Sequence, residues 1–566
     1  MRVRLLITVS LLVFSFTPIR IVAQNAPDRY WVQFEGKVNS ELPAGFSTPF
    51  SINSPEEFLS PKALERRARQ GIPITAHDLP IPPSHLASLD SIQSIQVILK
   101  SKWFNAVTIL VKDSTFDVQS LLALPTVIDI RSVQSVKPNR PSIMEIMPTR
   151  ASANDTSAYG GGWNPISQLH ANWLHGLGFR GQGMMIAVLD AGFENVESLP
   201  IFERAWQQNR IWEGMDAMQS QGGLFAHHRH GTAVLGTMAG HLEDSLIGTA
   251  PDAHYVLYRT EDAYSEYLIE EDYWVAAAEH ADSMGVDLMN TSLGYSTFDD
   301  STMNHTVLDL DGITCRISQA AQWAAQKGIL CVTSAGNSGS TEWHAITAPG
   351  DAKDILTVGA IDANGNHASF SGWGPTADGR IKPEIMALGV QAAYPHADST
   401  IRYGNGTSFS SPIVCGAAAC LWQAFPDATA SEIRSAIISS SSDFLQPSDS
   451  MGYGIPDFRL AFEILSQEGA TVWDAAATTG LIFPNPSNDG ILRWLLESDS
   501  TPTEWKLFTS GGQLLRQGSV SEWKDMNGRY QGWVQFDHNL ASGQYIFQLL
   551  NKNQPLYSAH WTMSRQ

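Results

Sequence analysis

Residues 404–412 read GNGTSFSSP, and the chain continues IVCGAAAC. Ser408 follows Gly406 and Thr407, and Pro412 falls near the first turn of a helix, where proline is tolerated. A serine hydroxyl in that position is a candidate nucleophile, because the partial positive charge of a helix N-terminus stabilises its oxygen as it becomes anionic. Ser410 and Ser411 lie deeper in the turn and read as capping or packing residues. The competing reading is a polar turn that merely precedes a helix.

Serine attack on an amide needs an imidazole to move the proton, a carboxylate to orient the imidazole, and donors for the oxyanion. Asp190, in VLDAGF, is the carboxylate candidate: it ends an apolar run, and Ala191-Gly192 lets the chain turn. A strand-terminal aspartate that caps the next turn is the plain alternative. His230, in HHRHGTAVLGTMAG, is the imidazole candidate, followed by a helix of small residues. The spacing His228-x-His230 also suits a metal, but further ligands at fitting spacing are missing from the sequence, and no metal site is assigned. Asn337, in CVTSAGNSGS, offers an amide donor after an apolar run, with Gly336 allowing close approach of a substrate; alone, Ala335-Gly336-Asn337 reads as an ordinary turn.

These residues need a scaffold. Apolar runs at 184–189, 286–289 and 329–332 alternate with helical stretches at 272–283 and 317–327, the last stopped by Gly328. Short buried strands between helices predict an α/β fold, a mostly parallel sheet covered on both faces, over residues 163–466. Such sheets bind ligands at the carboxyl ends of their strands, where Asp190 and Asn337 are expected. Residues 25–145 mix alternating runs (30–34, 107–111) with helical stretches (61–70, 118–124), which predicts a small α+β unit. Residues 146–162 read as a linker. Residues 475–566 place Trp505, Trp523, Trp533, Tyr545 and Trp561 in short alternating runs between turn signals, which predicts an all-β sandwich.

Charge narrows the function class. The chain carries a formal net charge of −21. Residues 25–150 hold 13 basic and 12 acidic residues, whereas 151–566 hold 20 and 45. So acidic a surface argues against nucleic acid and anionic membranes as partners. Residues 1–24 have Arg2 and Arg4 before a 12-residue apolar stretch and Ala23 at a cleavage position. That is the pattern of a signal peptide, so a secreted or cell-surface protein is expected. The four cysteines are too few for a disulfide framework and read as core residues, with a Cys315–Cys331 pair left open.

Taken together, the motifs D-A-G, H-G-T, A-G-N and G-T-S-x-x-x-P, in this chain order, resemble the subtilisin-like serine proteases, the subtilases. Gly248-Thr249-Ala250-Pro251, Asn290-Thr291-Ser292-Leu293-Gly294, Thr347-Ala348-Pro349-Gly350 and Asp378-Gly379-Arg380-Ile381-Lys382-Pro383 resemble further segments of that family. Ala191 departs from it, since Thr or Ser is more usual there. The resemblance implies an endopeptidase in which Ser408 attacks, His230 is base and then acid, Asp190 orients His230 and Asn337 binds the oxyanion. It implies that peptide adds as a strand along Ser292, Leu293 and Gly294, and that the pocket for the residue before the cleaved bond is lined from there and from Ser334, Ala335 and Gly336. No cofactor is needed for this chemistry. The family leaves room for structural calcium, whose ligands the sequence does not assign. A catalytically silent surface-binding protein on the same scaffold is the alternative.

The flanking blocks carry resemblances of their own. Residues 25–145 resemble propeptides of secreted subtilases, and residues 60–73 resemble a segment in subtilases of the Bacteroidetes. This implies a folding chaperone and temporary inhibitor, removed by cleavage near 140–160. Residues 475–566 resemble C-terminal sorting domains of the type IX secretion system, through Phe483-Pro484-Asn485-Pro486 and Leu540-Ala541-Ser542-Gly543-Gln544-Tyr545. The implied partners are polypeptide substrates, the chain's own propeptide and an outer-membrane export machinery. For the last block the alternative is a carbohydrate- or surface-binding module with partly exposed tryptophans.

Overall fold

The computed structural model describes residues 28–134, 147–149, 158–219 and 221–469, and then 479–483, 491–497, 501–510, 513–520, 524–526, 529–536, 540–541, 543–552 and 554–563. The expected signal peptide, much of the expected linker, residues 484–490 of the last block's opening motif, and its turns at 511–512 and 527–528 lie outside the described residues.

Seven parallel strands form the central sheet, in the order Ile385–Leu388, Leu356–Ile361, Leu330–Ser334, Leu288–Thr291, Met185–Asp190, His254–Arg259, Ile211–Asp216. The inner strands are apolar at consecutive positions because both faces are covered. Ile186, Val188, Leu288 and Val332 pack with helices His230–Ala239 and Thr407–Ala424. Ala187, Leu189, Met289 and Cys331 pack with helices Ile269–Met284 and Arg316–Gln326 on the other face.

The element boundaries differ from the sequence expectation in instructive ways. The strand expected at 286–289 runs Leu288–Thr291, and the one expected at 329–332 runs Leu330–Ser334. Polar residues end both. Asn290 can be buried because its Nδ2 donates to Ser292 Oγ (3.0 Å) and its Oδ1 accepts from Ser411 Oγ (2.9 Å). Residues 118–123 form a 3-10 helix rather than an α-helix; Pro125 drives Leu124 into the extended region and cuts the segment short. The Cys315–Cys331 pair left open above does not form: all four cysteines are free and buried. Cys315 caps the start of helix Arg316–Gln326, whereas Cys331 points at Ala321, about 9 Å further along the helix axis.

The N-terminal unit is a four-stranded antiparallel sheet, ordered Ile95–Ser101, Ala106–Val111, Arg29–Phe34, Val127–Gln134. It lies against helix Ile269–Met284, with Trp31, Leu99 and Ala106 packed on Tyr267, Ile269 and Tyr273. Its polar contacts are buried as well. Glu279 accepts from Ser101 Oγ (2.6 Å), Lys102 N (2.6 Å) and Trp103 N (3.0 Å). Arg66 and Arg67, 1% and 2% exposed, both pair with Asp282, and Lys327 pairs with Asp78. Burial alone would raise the Asp282 pKa, but Lys102, Arg66 and Arg67 outweigh it and hold the carboxyl far below the usual range.

The C-terminal part holds two four-stranded antiparallel sheets whose buried residues Trp494, Leu507, Phe547 and Trp561 form one core. Trp505 packs against this core and Tyr545 Oη donates to Ala541 O at 2.5 Å.

Candidate active site

Three adjacent strands of the central sheet, Leu330–Ser334, Leu288–Thr291 and Met185–Asp190, carry Asp190 and lead into the Ser292 and Asn337 segments, while His230 and Ser408 each open a helix that follows another strand. Asp190 is the last residue of strand Met185–Asp190 and is fully buried. Its Oδ1 accepts from Ala191 N (2.8 Å) and from His230 Nδ1 (2.8 Å). His230 is the first residue of helix His230–Ala239. Two glycines permit the approach. A Cβ on Gly192 would stand 2.7 Å from His228 N, and one on Gly231 would stand 2.4 Å from Gly192 O. The Asp190–His230 pair therefore depends on side chains that are absent as much as on those present. His228 lies beside His230, ring centroids 6.4 Å apart; burial and then the His230 charge push its pKa down to about 4.

Ser408 is the second residue of helix Thr407–Ala424, whose N-cap is Gly406. Its Oγ donates to Ser292 O (3.2 Å), and Ser292 Oγ returns a bond to Ser408 O (3.0 Å). The structure thus brings Asp190 onto His230 and Ser408 onto Ser292; a hydrogen bond between His230 and Ser408 is not among those formed by the described residues. Catalytic hydrogen bonds are often long or misdirected before substrate arrives, and rotation about Ser408 χ1 is the change that would redirect the hydroxyl.

Asn337 is exposed, just beyond strand Leu330–Ser334. Its Oδ1 accepts from both Thr407 N and Thr407 Oγ1, each at 2.9 Å. Those two donors hold the amide with Oδ1 toward Thr407. A Cβ on Gly406 would sit 3.7 Å from Asn337 Nδ2 and 3.7 Å from Ser408 N. Glycine at 406 leaves clear a space within van der Waals reach of both nitrogens. An oxygen placed there meets a side-chain amide, a backbone N–H and the positive end of an 18-residue helix.

Ser292, Leu293 and Gly294 follow strand Leu288–Thr291, and Ser334 Oγ donates to Leu293 O (3.2 Å), tying the two expected substrate segments together. Sequence reasoning missed Thr347 as part of this place. Cβ atoms on Gly294 and on Gly336 would fall 2.1 Å and 2.6 Å from Thr347 Oγ1. Thr347 is 3% exposed, its hydroxyl has no hydrogen-bond partner, and it fills the slot between the two segments. The available signal was the Thr347-Ala348-Pro349-Gly350 motif, which does not reveal that its first side chain points at two glycines far away in sequence.

Known proteins resemble this chain over its N-terminal and central parts. The family model described as "Subtilase family" matches residues 181–454, and the model "Peptidase S8 propeptide domain, Bacteroidota" matches residues 29–146. Subtilisin DY of Bacillus licheniformis is 28% identical over 292 residues, 51% of this chain and 93% of that protein. Subtilisin BL of Lederbergia lenta is 31% identical over 271 residues, 48% of this chain and 87% of that protein.

Proposed function

The chain belongs to the subtilase family, a family of serine proteases, and from that premise we propose that it is an endopeptidase working through Asp190, His230 and Ser408. Ser408 Oγ attacks the scissile carbonyl, His230 takes the proton and later returns it to the leaving amine, and an acyl-enzyme on Ser408 is hydrolysed by water. Asp190 holds His230 with Nδ1 protonated, so that Nε2 is free to accept. The observation that supports the reading is the space beside Gly406, with Asn337 Nδ2 and Ser408 N each 3.7 Å from where a Cβ would stand. Removing one oxyanion donor costs roughly 10²–10³ in kcat. Asn337→Ala is therefore expected to lower kcat by that factor with KM little changed on a peptide amide; an unchanged kcat would remove Asn337 from the mechanism.

Substrate adds as a strand along Ser292-Leu293-Gly294, a mode that favours extended, loop-like peptide. The side chain before the cleaved bond enters the slot that Thr347 narrows. Small residues are preferred there, and Thr347→Gly is expected to raise kcat/KM for a leucine or phenylalanine in that position by about tenfold or more, the scale of a methylene or two in an apolar pocket. A panel of peptides differing only at that residue reads the change.

Residues 29–146 are a propeptide domain. We read its buried contacts with helix Ile269–Met284 as the clamp that keeps it in place as inhibitor until cleavage. Asp282 contributes to the contact above its unperturbed pKa, and the contribution is lost only as pH falls through the depressed value. The share of the clamp that Asp282 supplies thus holds at neutral pH and through mild acid. Asp282→Ala leaves Arg66 and Arg67 buried with no common partner, a loss of about 3–5 kcal/mol. Inhibition of the processed enzyme by added propeptide should weaken at least a hundredfold, while peptide turnover without propeptide stays near wild type.

For the ends of the chain we propose a signal peptide at 1–24 and a sorting function for residues 475–566, directing export to the cell surface. Retention inside the cell after deletion of residues 475–566 would be the expected phenotype.

A further inference from the structure

Part of the propeptide domain docks far from the catalytic residues. Helix Pro61–Arg69 contacts the turns that lead into strands Leu288–Thr291 and Leu330–Ser334, beside the first residue of strand Met185–Asp190. These are the amino ends of the three strands whose carboxyl ends carry Asp190 or lead to Ser292 and Asn337. Strand Met185–Asp190 spans roughly 17 Å, so the contact is separate from the cleft.

Arg66 is 1% exposed, and the catalytic domain receives its guanidinium. Nε donates to Lys327 O (3.2 Å), Nη1 to Val286 O (2.6 Å), and Nη2 to Asp282 Oδ1 (2.5 Å) and Asp282 O (3.4 Å). Arg67 Nη2 donates to both carboxylate oxygens of Asp282, at 2.8 and 2.9 Å. Lys62 pairs with Asp287 (2.8 Å). Gln70 Nε2 donates to Gly328 O (2.8 Å), and its Oε1 accepts from Ala430 N (3.0 Å). Charge answers charge in both directions, since Asp78 of the propeptide pairs with Lys327.

The walls of this pocket are held by bonds inside the catalytic domain. Helix Ile269–Met284 ends at Gly285, where Gly285 N and Val286 N both donate to Ala281 O. After helix Arg316–Gln326, Ile329 N donates to Ala324 O across Gly328. Asp287 Oδ2 accepts from Met185 N (2.9 Å), and its backbone bonds Met185 O and Leu330 N. Two helix carboxyl ends thus turn carbonyls and the negative ends of their dipoles toward one place, with Asp282 and Asp287 beside them. A Cβ on Gly285 would stand 2.5 Å from Ala63 N, and one on Gly328 2.7 Å from Gln70 Nε2, so both glycines also admit the docked helix.

We propose that the catalytic domain carries an exosite for a di-arginine helix at the amino ends of its central strands, and that this exosite holds the cleaved propeptide independently of the cleft. The inference rests on the reading that the propeptide is cut from the catalytic domain. Fixed carbonyls around one carboxylate suit a planar guanidinium, and a lysine ammonium in place of Arg66 reaches fewer of them. Release of the propeptide then takes two steps. Emptying the cleft opens it to substrate, while helix Pro61–Arg69 still tethers the inhibitor to the enzyme.

The test uses the processed protein treated with a fluorophosphonate, and as probe an acetylated, amidated peptide of residues 54–79. Calorimetry is expected to show one peptide bound per chain. Arg66→Ala or Arg67→Ala in the peptide, or Asp282→Ala in the protein, is expected to weaken binding by roughly tenfold or more, and Arg66→Lys to weaken it as well. In initial rates on untreated protein, saturating peptide is expected to leave turnover of a small peptide amide unchanged. A second peptide, closed by a lactam between Glu65 and position 69 as Arg69→Lys, holds the helix through two exposed positions and covers the case in which the linear peptide does not fold. The inference is overturned if neither peptide binds at millimolar concentration or if the arginine variants bind as tightly as the parent. It is equally overturned if binding suppresses turnover in step with occupancy, because the peptide is then in the cleft. A processed protein that takes no fluorophosphonate speaks against the protease reading, whereas one that ignores both peptides, labelled or not, speaks against the exosite.

Discussion

Ser408→Ala is expected to lower kcat by roughly 10⁶ on a peptide substrate, His230→Ala to cost nearly as much, and the double variant to cost no more than either. The reasoning is that the two side chains perform one act. Without the hydroxyl, the imidazole has no proton to take; without the imidazole, the hydroxyl stays a weak nucleophile. What survives is the space beside Asn337 Nδ2 and Ser408 N, which still stabilises charge on a bound carbonyl and leaves a residual 10³–10⁴ over water. The sizes are read from single-turnover kinetics on the processed protein, with Tm measured alongside. Additive losses would mean that Ser408 and His230 act separately, and the proposed mechanism would fall.

Asp190→Asn is the second large effect, about 10⁴ in kcat with KM within a few-fold. In the structure one oxygen of Asp190 accepts from both Ala191 N and His230 Nδ1, while Oδ2 is buried without a partner. An asparagine has two ways to sit there. With its oxygen in the Oδ1 place it keeps both bonds but loses the charge that stabilises the imidazolium, and it buries an amide N–H where Oδ2 had no donor or acceptor nearby. With its nitrogen there, it presses the proton of His230 onto Nε2, the atom that must accept from Ser408. Either arrangement impairs proton transfer and leaves the fold intact. A loss below tenfold would show that His230 does not need Asp190, and a collapse of Tm would show a structural role instead.

The sequence made the strands and the motif residues legible because chemistry and geometry coincide at element ends. An aspartate that closes an apolar run and precedes Ala-Gly fits a strand's carboxyl end, and a serine after Gly-Thr and before a small-residue run fits the opening of a helix. The strand ends were less legible. Asn290 and Ser334 look like loop residues until Ser292, Ser411 and Leu293 are seen to satisfy them. Three features depend on contacts that no local pattern encodes. Ser408 turns to Ser292 O, 116 positions away. Thr347 sits between Gly294 and Gly336. Glu261, Glu266 and Glu270 lie in an acidic stretch, EDAYSEYLIEED, and only the fold buries two of them. The same holds for Arg66 and Arg67, whose helix reads as charged and exposed until Asp282 is placed beneath it.

The central claim is that Ser408 becomes an activated nucleophile even though its hydroxyl rests on Ser292 O. Reaction of the processed protein with a fluorophosphonate probe, followed by peptide mapping, tests it most directly. The account predicts one label per chain, on Ser408, absent from Ser408→Ala and from His230→Ala. A folded, processed protein that takes no label, or takes it elsewhere, would contradict the account and leave a subtilase scaffold that binds without cutting.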